Sequence, residues 1–94
     1  MNVLNRELVA AAGKRHADAK PSLEAWLAEA LEAKWAGPMD IKQRYASASF
    51  LAGNVVIFNV RGNRYRLAVK VNYAAQLVLA TWFGTHAEYD KQKF

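Results

Sequence analysis

The stretch Val55-Val-Ile-Phe-Asn-Val-Arg-Gly-Asn-Arg-Tyr-Arg-Leu-Ala-Val-Lys-Val-Asn72 decides the fold. Its first six residues are β-branched, aromatic or amide. Gly62-Asn63 follows, with glycine first, as a type II′ hairpin turn wants. Tyr65–Asn72 then alternates: Tyr65, Leu67, Val69 and Val71 face one way, and Arg66, Ala68, Lys70 and Asn72 face the other. Two antiparallel strands, Val55–Val60 and Tyr65–Asn72, are therefore expected. With Gly62-Asn63 as the turn, Arg61 stands opposite Arg64 and Asn59 opposite Arg66, all four on the face away from Phe58, Val60, Tyr65 and Leu67. Like charges directly opposed destabilise a hairpin, so the fold alone does not ask for this arrangement. Alternate side chains on a strand lie about 6.6–6.8 Å apart, and an arginine fork matches the oxygens of a phosphate.

On the C-terminal side, Gln76–Thr85 reads as a third long strand, apolar on both faces and therefore expected at the centre of the sheet. Gly84-Thr85-His86-Ala87-Glu88-Tyr89-Asp90-Lys91 comes next. Thr85 with Glu88 three residues on is a capping box, which starts a helical turn. That turn puts His86, Tyr89 and Asp90 on one side, at i, i+3 and i+4. Imidazole, phenol and nearby cations are the groups that cleavage of a phosphodiester requires: a proton acceptor, a proton donor and charge for the transition state. The plainer alternative is that His86 and Tyr89 only fasten the chain end to the sheet.

On the N-terminal side the period is helical. Val3-Leu4 can form a very short first strand. Asn5 is placed to cap a helix running to about His16, with Leu8, Val9 and Ala12 on one side. A break at Asp18–Pro21 precedes a second helix, in which Leu23, Trp26, Leu27, Ala30, Leu31 and Trp35 form an apolar stripe. Gly37-Pro38 stops it. Asp40–Tyr45 adds one helical turn, and residues 46–54 are read as a loop. The expected architecture is α+β over a single domain, 1–94: two N-terminal helices packed on an antiparallel sheet of three to four strands, with a short C-terminal helical turn.

The chain has 94 residues, 53% hydrophobic and 22% charged, with a net charge of +5. Residues 1–40 balance to −1 and residues 41–94 to +6, so the whole cationic surplus lies in the second half. That segregation points to a polyanionic partner. There is no cysteine, and His16 and His86 lie on separate segments with no carboxylate at ligand spacing. No metal and no cofactor are therefore expected. No apolar run approaches a signal peptide or a membrane span, which leaves a cytoplasmic protein as the expectation.

Val56-Ile-Phe-Asn-Val-Arg-Gly-Asn-Arg-Tyr-Arg-Leu67 followed by Phe83-Gly-Thr-His-Ala-Glu-Tyr-Asp-Lys91 resembles the HigB-type toxins of bacterial type II toxin–antitoxin modules, within the RelE/ParE superfamily. The resemblance implies metal-independent cleavage of mRNA in the ribosomal A site. It also implies the ribosome as a partner and neutralisation by a HigA-type helix-turn-helix antitoxin. Carried onto this chain, it makes Arg66 the sheet arginine at the scissile phosphate and places His86 and Tyr89 at acid–base positions. Lys42 matches a basic residue before the sheet. Asn59, Arg61, Arg64, Lys70 and Lys91 complete the expected RNA-binding set. The ParE branch of the superfamily shares the fold and poisons gyrase without cutting RNA, so a non-catalytic inhibitor is the alternative.

Overall fold

A computed structural model describes all 94 residues, and the β-hairpin stands at its centre. Strands form where the alternation predicts them; numbered in chain order, they are β3 (Val55–Val60) and β4 (Tyr65–Asn72). They pair antiparallel with Asn59 opposite Arg66 and Val60 opposite Tyr65. The other elements are β1 (Asn2–Leu4), α1 (Arg6–Arg15), a 3-10 turn (Ala17–Ala19), α2 (Lys20–Glu32), α3 (Pro38–Arg44), β2 (Ser49–Leu51), β5 (Leu77–Thr85) and α4 (His86–Asp90).

The α+β class stands, and the details of the sheet differ from expectation. Five strands run in the order β1-β5-β4-β3-β2. The sheet is mixed, because β1 lies parallel to β5. β4 is central, and β5 is not. β1 covers β5 only at Leu77–Leu79, so the later half of β5 pairs with β4 alone. Leu79 of β5 is 39% exposed, so the apolar run does not mark a strand covered on both faces. β2 falls in the stretch read as a loop, since three residues are too short to show a period. The expected turn at Asp40–Tyr45 is a seven-residue helix that starts at Pro38, where proline suits a first turn.

Two helix ends also differ. α2 stops at Glu32, yet Trp35 is still buried; it reaches the core from the loop and stacks on Phe58 at 6.4 Å. Asn5 makes no side-chain cap. It sits at φ 61°, and its amide donates to the Ala80 carbonyl at 2.9 Å, which ties the start of α1 to β5.

The core lies between the helices and one face of the sheet. Val9 and Ala12 of α1, Leu23, Trp26 and Ala30 of α2, and Ile41 of α3 meet Val56, Phe58, Leu67, Val69, Val71, Val78 and Ala80. Phe58 is the hub: Trp26 approaches edge-on at 5.5 Å and Tyr45 at 5.0 Å.

A β-bulge decides what the second face carries. Ala68 pairs with Trp82 and Val69 with Ala80, which leaves Thr81 as the extra residue. Its hydroxyl donates back to the Ala68 carbonyl at 3.1 Å. One inserted residue exchanges the faces of all that follow. Phe83 thereby turns to the core face, where it stacks on Tyr65 at 5.4 Å. Trp82 and Gly84 turn to the face that carries Arg66.

Candidate functional site

Arg66 lies in the middle strand, flanked by Asn59 of β3 and Gly84 of β5. It is the one buried charged residue, 9% exposed. Its Nη1 donates to the Tyr65 carbonyl at 3.1 Å and the Asn63 carbonyl at 3.2 Å. No carboxylate pairs with it. The guanidinium is thus held by neutral acceptors and keeps its positive charge uncompensated, a state that suits an incoming anion.

Over this cation stands an aromatic group. The Tyr89 ring lies 5.9 Å from the guanidinium carbon, within cation–π range. Trp82 is 6.2 Å from Tyr89, and Phe94 stacks on Tyr89 at 5.5 Å. A Cβ at Gly84 would come within 2.6 Å of two indole carbons of Trp82. Glycine at that position lets the indole lie flat over the strand beside Arg66.

α4 is held by the capping box that Thr85 and Glu88 predict. The Thr85 hydroxyl accepts from the Glu88 N–H at 3.1 Å, and the Glu88 carboxylate accepts from the Thr85 N–H at 2.8 Å. That backbone bond holds the Glu88 carboxyl below the usual carboxylate range. The His86 N–H donates to the Arg64 carbonyl at 2.9 Å, which ties α4 to the hairpin loop. The His86 imidazole is half exposed, and its Nδ1 lies 3.1 Å from Asp90 Oδ2. Nε2 is left free.

The structure therefore brings Arg66, Tyr89 and Asn59 together and sets His86 one turn away from Tyr89 on α4. It does not place all four hairpin residues on one face. Arg61 leaves the strand at φ 51°, so the connection is a four-residue loop, Arg61–Arg64. Arg61 and Arg64 both turn to Asp18 in the 3-10 turn, with Nη1–Oδ2 separations of 2.8 and 3.5 Å. The carboxylate relieves the repulsion that direct opposition would have caused. The Tyr65 hydroxyl also donates to Asp18, at 2.6 Å. That bond, followed by the two arginine charges, lowers the Asp18 pKa, while Asp18 raises that of Tyr65.

The lysines are dispersed. Lys42 lies by β2, where its Nζ donates to the Ala48 carbonyl at 3.0 Å. Lys70 shares strand and face with Arg66 but sits four residues on, opposite Val55 and Leu79. Lys91 follows α4 on the side away from His86 and lines a cavity with Arg15. The sequence reading missed Trp82, Gly84 and Asp18. Trp82 and Gly84 owe their place to the bulge, and the Asp18 contact spans more than forty residues of chain. No three His, Asp or Glu side chains stand close enough to hold a metal ion. No helix is long and apolar enough to cross a membrane.

Residues 19–92 match a protein family described as HigB toxin, the RelE-like toxic component of a toxin–antitoxin system. No curated protein matches the chain significantly.

Proposed function

The chain belongs to the HigB family of RelE-like toxins, and from that premise we propose that it is a ribosome-dependent mRNA endonuclease. An antitoxin partner follows from the family; the form proposed here is a HigA-type helix-turn-helix protein that covers or displaces the cationic face. Its place of action would be the cytoplasm, where the ribosomes are.

The observation that carries the reading is Arg66, a buried and uncompensated guanidinium beneath Tyr89. A mere sheet face has no use for that charge. In the proposed reaction the 2′-oxygen of the RNA attacks the adjacent phosphorus and the bond to the 5′-oxygen breaks. The products are a 2′,3′-cyclic phosphate and a 5′-hydroxyl. Arg66 stabilises the charge that builds on the non-bridging oxygens. His86 takes the 2′-hydroxyl proton on Nε2. Asp90, on Nδ1, fixes the ring and stabilises the imidazolium as it forms. Tyr89 delivers a proton to the leaving 5′-oxygen. Asn59, Arg61, Arg64, Lys42, Lys70 and Lys91 act in binding, the loop arginines from the rim and the lysines further along the message.

The test is to express the protein and map new mRNA 5′ ends on translated and untranslated messages. New ends confined to translated messages support the reading. No new ends, with DNA damage instead, point to the non-catalytic alternative.

A further inference from the structure

The largest cavity in the molecule, about 510 Å³, lies between α1, the late half of β5 and α4. It borders the Arg66–Tyr89 face and is not part of it. Trp82 belongs to both: it lines the cavity and packs 6.2 Å from Tyr89. α4 separates the two places. His86, Tyr89 and Asp90 occupy one side of its turn, and Glu88, Lys91 and Gln92 continue on the other.

The lining is net cationic. Arg15 and Lys91 take part in none of the ion pairs of the structure. The cavity's one carboxylate, Glu88, accepts from the Thr85 N–H and feels the Arg15 charge from beyond ion-pair distance, which leaves one positive charge in excess. The His16 ring rests on Tyr65 and Phe83 at 4.9 and 5.7 Å. Gln92 brings an amide with both donor and acceptor capacity. The volume falls within the roughly 300–1,000 Å³ of ligand pockets. Two cations with no direct ion pair, an aromatic wall and an unused amide together match a nucleotide: phosphate, base face and base edge.

We propose that this cavity receives a nucleotide flanking the cut and sets the sequence preference of cleavage. Arg15 and Lys91 hold its phosphate, its base enters beside Trp82, and Gln92 and His16 read the base edge. The inference rests on the reading of the chain as an RNA-cutting toxin.

Three variants test it: Ala11→Trp, from an exposed position of α1, fills the cavity; Arg15→Ala removes a cation; Gln92→Ala removes the reading amide. Each is checked for folding by circular dichroism. Single-turnover cleavage is then followed on ribosomes programmed with messages that differ in the A-site codon. The expected result is a loss of about 10-fold at the preferred codons, the scale of one lost base contact. For Ala11→Trp and Gln92→Ala poor codons change less, so the preference flattens; Arg15→Ala, which removes a phosphate contact, slows all codons alike. If the wild type cuts and all three variants keep its rates and preference, the inference is overturned and the nuclease reading stands. If the wild type cuts none of the messages, the nuclease reading fails and this inference fails with it.

Discussion

Arg66 faces Gly84 directly across the β4–β5 ladder, and the space that a side chain would fill at Gly84 is taken by the Trp82 indole. The arginine, the missing Cβ and the indole form one packed unit. Gly84→Ala should therefore push the indole off the strand. Overpacking of this kind costs roughly 1–3 kcal/mol. The indole in turn supports Tyr89, so cutting should fall as well. Urea denaturation and single-turnover cleavage check both effects, and a stable variant with wild-type activity would show that the unit is loose.

Arg66→Ala should lower the cleavage rate by about 10²–10³, as loss of one transition-state donor does. Arg66 is more buried than a residue on an open sheet face would be, so truncation also strips a partner from the Tyr65 and Asn63 carbonyls. A stability loss of about 1–2 kcal/mol should accompany it. Arg66→Lys separates the effects: it keeps the charge, loses the planar fork, and should recover stability better than rate. Thermal melts and cleavage assays on both variants provide the comparison.

Phe58 contacts Trp26, Trp35 and Tyr45 in the packed layer between helices and sheet. Phe58→Ala should cost roughly 3–5 kcal/mol. For a domain of this size that is a large part of the whole stability, so the variant should melt broadly or be unfolded at 37 °C in a calorimetric scan.

The hairpin and the apolar stripe of α2 were legible because period 2 and period 3.6 leave marks in a single sequence. β2, Ser49–Leu51, left none. The bulge at Thr81 is a one-residue event inside a run that is apolar throughout, and no local pattern marks it. It nonetheless decides that Trp82 rather than Phe83 joins Arg66. Tyr89 could be named from residue type and spacing, Arg66 is singled out among the hairpin cations by the family resemblance, and the two stand at cation–π distance. Arg61 and Arg64 could not be placed. Their partner Asp18 stands far off in the chain, and the positive φ of Arg61 follows from loop closure rather than from its own preference.

Asp18 gives a pH dependence of defined sign. The Tyr65 hydrogen bond and the charges of Arg61 and Arg64 depress its folded pKa below the ordinary 3.8. A depressed carboxyl contributes stability above the unfolded pKa and loses it as pH falls through the folded one. The melting temperature should therefore decline below about pH 4, in part because of this group. Asp18→Asn should make that acid limb shallower. Because the site is exposed, the difference should shrink in high salt. An acid limb identical in Asp18→Asn and wild type would mean that the cluster contributes nothing to folding.

Asp90 touches His86 through Nδ1 and reaches neither the capping box nor the core. If His86 is the base and Asp90 orients it, His86→Gln should cost most of the rate. Asp90→Asn should cost less, and the double variant should be no worse than His86→Gln alone, because residues that act as a unit are not additive. Independent roles would instead multiply the two losses. A His86→Gln variant that cuts at the wild-type rate would reduce His86 to a tether of the chain end through its N–H bond to Arg64. Tyr89→Phe divides the remaining possibilities. It keeps the ring over Arg66 and the stack on Phe94 and removes only the hydroxyl. A proton donor should lose at least the roughly 10²-fold of general acid catalysis, whereas a ring that only stacks should lose almost nothing. A substrate with a better leaving group at the 5′-oxygen makes the distinction sharper. It should restore Tyr89→Phe and leave His86→Gln impaired, since only the acid's task is eased.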